Sequence, residues 1–339
     1  MLCPECFTVL PDPTPEACPR CAAALWRVAG LGARQSRARR TDGLIAAKAP
    51  PRDTPVATPV AGNAPPSVDL RPYCSPVEDQ QSLGSCASCA VVGALEFLQI
   101  KQGKPPVDRS RLFVYFNARK LRNAVGEDSG NTTAEVIASV VAFGVPPEQE
   151  WPYRIEDFNR EPPRRVYDSA WTAQGHDFAR VVGADGVIGA LAQGLPVSLA
   201  INLPQRCYEE AARTGRFPDP RGDENLDPST AESGHCMLIV GYDRNRGTFL
   251  IRNSWGAKWG QGGYAEMPIR LAEQQGFLAD SWIVGHLDRN PSFHLVPPPA
   301  HGAAAATGPG IAEMRDRLRA EISRDVRDAV RRIKDNFQL

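Results

Sequence analysis

Gly84-Ser85-Cys86 leads into an apolar-rich run from Ala90 to Ile100, and this stretch constrains the chain more than any other. A turn of small residues entering such a run predicts a buried helix with Cys86 in its first turn. A thiol there faces the positive end of the helix dipole, which lowers its pKa and favours the thiolate, the form that attacks carbonyl carbon. A lone cysteine is more often an inert core residue, so the reading needs partners from elsewhere.

Two distant segments supply them. Ser233-Gly234-His235-Cys236-Met237-Leu238-Ile239-Val240 places a histidine at the head of a strand pattern, and Arg252-Asn253-Ser254-Trp255-Gly256 sets an asparagine in a Gly/Trp-rich stretch. Cysteine, histidine about 150 residues later, then asparagine is the order expected of papain and the cathepsins. From about Val68 to His286 the chain resembles the papain-like cysteine peptidases. The resemblance implies Cys86 as nucleophile, His235 as its base, and Asn253 orienting the imidazole. It also implies Trp255 shielding the His–Asn hydrogen bond and Gln80, rather than the adjacent Gln81, in the oxyanion hole with the Cys86 amide. Gly130 and Asn131 align with the glycine pair that binds an extended peptide through its backbone; Ala200, Ser233 and Cys236 are candidates for the S2 pocket. Cys89, one turn into the helix, reads as core.

Two positions depart from the family pattern. Leu83 stands where the family has a disulfide cysteine, and Ala87 replaces the usual tryptophan. Neither change removes a catalytic group, and losing a disulfide suits a reducing compartment. Cys74, Cys207 and Cys236 show no pairing pattern and are expected to be free thiols.

The same region reads as α+β without the resemblance. Helical patterns cover 88–102, 109–121 and 131–143; after about Ala173 come short strand patterns at 196–201, 236–240 and 248–252, separated by Gly, Pro and Asp. A helical lobe at about 67–172 and a β-rich lobe at about 173–288, with the cleft between them, is the expected layout, and the resemblance makes it the two-lobed papain-like fold. The Pro/Asp/Gly-rich stretch Arg213–Glu232 is expected to be a surface loop at the cleft rim.

The flanks read differently. Cys3-Pro4-Glu5-Cys6 and Cys18-Pro19-Arg20-Cys21 suit a tetrahedral site of four thiolates, and residues 1–26 resemble a zinc ribbon with structural Zn2+. A closed site of this kind has no open position for chemistry, so no cofactor is expected in catalysis. Residues 27–66 read as a disordered Pro/Ala/Arg-rich linker and 289–310 as a second linker. Over 311–339, Ile311, Met314, Leu318, Ile322, Val326, Val330, Ile333 and Phe337 form the stripe of an amphipathic helix, suited to packing on its own domain, a partner or a second copy through 311–337.

Lys plus Arg equals Asp plus Glu at 39 each, which argues against nucleic acid, and no apolar run reaches the roughly 18 residues of a membrane span. The N-terminus lacks a signal-peptide pattern and the long helical propeptide of secreted relatives, so the expectation is a cytoplasmic bacterial cysteine endopeptidase acting on protein or peptide. Two rivals remain: an acyltransferase or peptide ligase on the same site, and an inactive papain-like binding module targeted by the ribbon.

Overall fold

The computed structural model describes residues 64–170, 175–221, 226, 234–274 and 281–287. The four ribbon cysteines Cys3, Cys6, Cys18 and Cys21, nearly all of the first linker, Ser233, the second linker and the 311–339 helix lie outside the described residues.

Helix α1 (Cys86–Lys101) forms the centre, and every residue from Cys86 to Gln99 is buried. A helix that is mostly small and apolar around its whole circumference has no face to offer water, so it is enclosed on all sides. Helices α2 (Arg111–Lys120) and α3 (Thr133–Phe143) pack on one side of it. Ser110 caps α2 by accepting the Phe113 amide at 3.1 Å, while Thr132 and Glu135 form a reciprocal capping box on α3. These caps start each helix two residues later than the hydrophobic pattern predicts, because the pattern follows buried faces and not the backbone.

On the other side of α1 lies one antiparallel sheet. Its strands are β1 (Ser67–Asp69), β2 (Gly175–Val181), β3 (Val197–Asn202), β4 (Gly234–Asp243), β5 (Thr248–Arg252), β6 (Tyr264–Pro268) and β7 (Ser281–Leu287). They run β2-β7-β3-β4-β5-β6, with β1 paired to β4. Strand β4 is buried along nearly its whole length because α1 covers one face and α4 (Gly183–Ala192) packs on the other. That is why it reads as a continuous apolar run instead of an alternating one.

The lobes are less separate than the sequence suggests. Ser67–Asp69, expected in the helical lobe, pairs with Gly241–Asp243 in the β-rich one. The close approach requires Gly241, where a Cβ would meet the Val68 carbonyl at 2.4 Å. A second tie is Arg252 at the end of β5, whose guanidinium donates to Ser75 O and Oγ at 3.1 Å each and to Pro76 O. It runs past Gly93 in α1, where a Cβ would lie 2.5 Å from its Nη1. The stretch expected to be a surface loop is also partly structural. Helix α5 (Gln205–Thr214) includes its first two residues, and Phe217 and Leu226 are buried in the core.

Candidate active site

Cys86 is the first residue of α1, with Ser85 at the N-cap, and its side chain is fully buried. The loop before it is held by hydrogen bonds. Ser85 Oγ pairs with Tyr153 Oη at 2.6 Å, and Tyr153 Oη donates to the Gln80 carbonyl at 2.8 Å. The Gln80 amide donates to Ser254 O at 2.8 Å, and its side-chain Oε1 accepts from Ser254 Oγ at 2.6 Å. Its Nε2 donates to Leu83 O at 3.0 Å, turning the amide group toward the helix start. Gln80 is buried here, whereas Gln81 is exposed in a left-handed conformation with φ of 54°.

His235 is the second residue of β4, opposite Ile201 of β3, and is also fully buried. Its Nε2 lies 2.8 Å from Asn253 Oδ1. An amide oxygen only accepts, so Nε2 carries the hydrogen and Nδ1 presents its lone pair. Nδ1 has no hydrogen-bond partner among the described residues. Asn253 is itself anchored, its amide donating to Gly263 O at 3.0 Å and its Oδ1 accepting the Ser254 amide at 2.8 Å. Trp255 stacks on the imidazole with centroids 4.8 Å apart and planes at 30°, and Tyr208 meets it edge-on at 5.5 Å. Trp255 and Tyr208 also touch each other at 5.4 Å, which encloses the ring and excludes water from its bond to Asn253.

The thiol reaches this group through the next residue on β4: the Cys236 amide donates toward the Cys86 sulfur. The electrostatics differ from the sequence expectation. Burial pushes the Cys86 thiol well above its ordinary value and the nearby Cys236 side chain adds to this, against a downward pull from the amides of Cys236, Ala87 and Cys86. A helix terminus is worth about 0.3–1 kcal/mol at a surface and up to ~2 kcal/mol when partly buried, too little to offset complete desolvation of a thiolate. Burial likewise holds His235 down, to about 4, with Asn253 opposing. At neutral pH each group in the closed site, taken by itself, rests uncharged.

The expected substrate residues divide. Ala200 faces Cys236 across β3 and β4, and the Cys236 sulfur lies 3.2 Å from Ser198 Oγ and 3.9 Å from Thr133 Oγ1, so these four buried residues pack together. Asn131 is fully buried. Gly130, with φ of 70°, donates its amide to Tyr115 Oη at 3.2 Å and accepts from Arg122 at its carbonyl, so side chains of α2 and its end already engage both of its backbone groups. Cys89 sits in the core, 3.9 Å from Ser85 Oγ; with Cys74, Cys207 and Cys236 it is a free thiol. Glu78, Glu96 and Asp108 bring carboxylate oxygens within 4.8 Å of one another, but Glu96 accepts from Ser75 and Arg109 and Glu78 pairs with Arg111.

Tyr208 and Tyr153 escape the sequence reading. For Tyr208 a signal exists: Cys207, Tyr208 and Ala211 form the buried stripe of an otherwise polar helix. Tyr153 lies in a loop and carries none.

Residues 64–280 match the family model described as papain family cysteine protease. An uncharacterised peptidase C1-like protein of Acanthamoeba polyphaga mimivirus is 32% identical over 61% of this chain and 68% of its own length. Vignain of Phaseolus vulgaris is 28% identical over 68% of this chain and 61% of its own. Mouse cathepsin K is 29% identical over 60% of each. The chain therefore spans only about 60% of the length of the vignain and cathepsin relatives. Among solved structures, xylellain, a cysteine protease from Xylella fastidiosa, superposes with a TM-score of 0.63 at 29% identity, covering 75% of this chain and 98% of that one. Procathepsin L 3 of Tenebrio molitor shares the fold at 20% identity with a TM-score of 0.51, over 73% of this chain and 75% of that one.

Proposed function

The chain belongs to the papain family of cysteine proteases, and from that premise we propose that it is a cysteine endopeptidase using Cys86, His235 and Asn253 with Gln80. The observation that carries this reading is the His235–Asn253 bond of 2.8 Å: it assigns the proton to Nε2 and leaves Nδ1 as the base. Thiol and imidazole titrate as a couple, with one proton between Sγ and Nδ1. The proton passes from Sγ to Nδ1 as the sulfur attacks the scissile carbonyl. The carbonyl oxygen becomes an oxyanion held by the Gln80 side chain and the Cys86 amide, an interaction typically worth about 3–4 kcal/mol. The imidazolium then protonates the leaving amine, and water activated by Nδ1 hydrolyses the thioester.

An epoxide-type thiol inhibitor tests the assignment. Labelling of wild type at Cys86, absent in Cys86→Ala and strongly reduced in His235→Ala, is the expected result; full labelling of Cys86→Ala overturns it. Adding an amine to the peptide digest and weighing the products distinguishes hydrolysis from acyl transfer.

The remaining assignments are proposals on composition. Four thiolates at Cys3, Cys6, Cys18 and Cys21 are a donor set for structural zinc, tested by metal content of the purified chain and of a Cys3→Ser, Cys6→Ser variant. Free cysteines throughout the described residues suit a reducing cytoplasm. No helix among the described residues is long and apolar enough to cross a membrane.

A further inference from the structure

Two loops border the start of α1 on the helical side. One is 80–85, which carries Gln80 to the nucleophile; the other is 124–132, which carries Gly130 and Asn131 into α3. Neither has secondary structure of its own, and the described cysteines are all free, so none forms a disulfide that could hold them together. A hydrogen bond from the Gly84 amide to Asp128 Oδ1, at 3.0 Å, spans the gap. The same oxygen accepts from Tyr115 Oη, which in turn accepts the Gly130 amide at 3.2 Å.

Tyr115 is a rigid post, wholly buried in the middle of α2. One turn further on, Arg119 is buried and donates to the carbonyls of Val125 and Glu127 at 3.2 and 2.7 Å. Arg122, just past the end of the helix, holds Ser129 Oγ at 2.8 Å and the Gly130 carbonyl. The 124–132 loop is therefore fastened to α2 by three side chains, and Asp128 extends that fastening across to the nucleophile's loop. Burial and the Asp128 carboxylate push the Tyr115 phenol upward, so it stays protonated and keeps donating.

We propose that Asp128 is a positioning residue that, anchored by Tyr115, fixes the oxyanion-hole loop against α2 and the 124–132 loop. The inference rests on the peptidase reading above. Charge-assisted, fully engaged networks of this kind are stiff, and a displacement of about 1 Å between binding and reacting groups can cost on the order of 10²-fold in rate. The clasp reaches the loop that carries Gln80 through its Gly84 amide. A small alkylating agent does not use the oxyanion hole, so its reaction with Cys86 should depend little on Asp128.

The test compares peptide hydrolysis with iodoacetamide alkylation of Cys86 in the full chain for Asp128→Ala, Asp128→Asn and Tyr115→Phe. Asparagine keeps an acceptor oxygen for both Gly84 and Tyr115. The expected result is a kcat/KM for peptide about 30-fold lower in Asp128→Ala and about 5-fold lower in Tyr115→Phe. Asp128→Asn should recover to within about 3-fold of wild type, with alkylation within about 2-fold throughout. Equal losses in hydrolysis and alkylation, or no loss in either, overturn the proposal. Should Asp128→Ala fail to accumulate, the contrast between Tyr115→Phe and Asp128→Asn decides by the same criteria. Wild-type hydrolysis that disappears in Cys86→Ala upholds the peptidase reading whichever way the Asp128 variants fall.

Discussion

The two sides of the active site are held by different forces. On the helical side, Gln80, Ser85 and Gly84 are fixed by directional hydrogen bonds to Tyr153, Ser254 and Asp128. On the sheet side, the His235 ring has one hydrogen bond among the described residues, to Asn253, and is otherwise enclosed by the rings of Trp255 and Tyr208. An oxyanion site needs donors aimed to a fraction of an ångström, which hydrogen bonds provide. A general base needs a fixed tautomer and a dry environment, which one bond and two rings provide. The sheet side should therefore respond to changes in volume and protonation, and the helical side to loss of single polar atoms.

The largest effects lie where the sides meet. Cys86→Ala and His235→Ala should each lower kcat/KM for a peptide by at least about 10³-fold, measured against active sites titrated in wild type. A smaller loss in His235→Ala would mean that the sheet side contributes enclosure and no base.

Acid and base should strain opposite sides. His235 is held down to about 4 by burial, so between about pH 6.5 and 4 the unfolded chain binds the additional proton and stability falls as pH falls through that window. The contribution is on the order of 3 kcal/mol, and it should vanish from pH-dependent urea titrations of His235→Gln. Glu148, which accepts the Tyr153 amide, has the opposite sign. Burial raises its carboxyl to about 7 against the pull of Arg111, so the native state holds the proton longer and stability is lost as pH rises from 4.5 through 7. The two windows overlap between about pH 4.5 and 6.5 with opposing slopes, so Glu148→Gln should steepen the loss of stability on acidification there and remove the loss on approach to pH 7.

Single polar atoms follow. Tyr153→Phe removes the bonds to Gln80 and Ser85 while keeping the ring, and should destabilise by about 2 kcal/mol in urea unfolding with a comparable loss in kcat/KM. Ser254→Ala removes the one side-chain bond that crosses from the sheet side to Gln80, and should reduce kcat by about 5- to 10-fold with little change in KM. A change confined to KM would place Gln80 in substrate binding.

Much of this was legible in the chain. Thr248–Arg252 is a strand with the expected bounds, because β-branched and aromatic residues there end abruptly at Asn253. Cys86, His235 and Asn253 are legible because reactive residue types at that order and spacing are rare together. Partnerships between distant, ordinary residues leave no such mark. Asp128 meets Gly84 and Tyr153 meets Ser85 across 44 and 68 positions, and neither pairing has a local pattern. Burial is equally hard to read: a helix terminus shows in the local sequence, whereas the desolvation that opposes it at Cys86 exists only once both lobes have closed around the sulfur.

The short strand Ser67–Asp69 has a consequence of its own. Laid against Gly241–Asp243, it acts as a strap: a segment just ahead of the helical half is stitched to the β-rich half. Any widening of the groove must then bend around that seam or peel it away. Its three rungs, with the Leu70 amide bonded to Val240 O at 2.8 Å, limit how far the enzyme can gape to admit a folded protein instead of an extended strand.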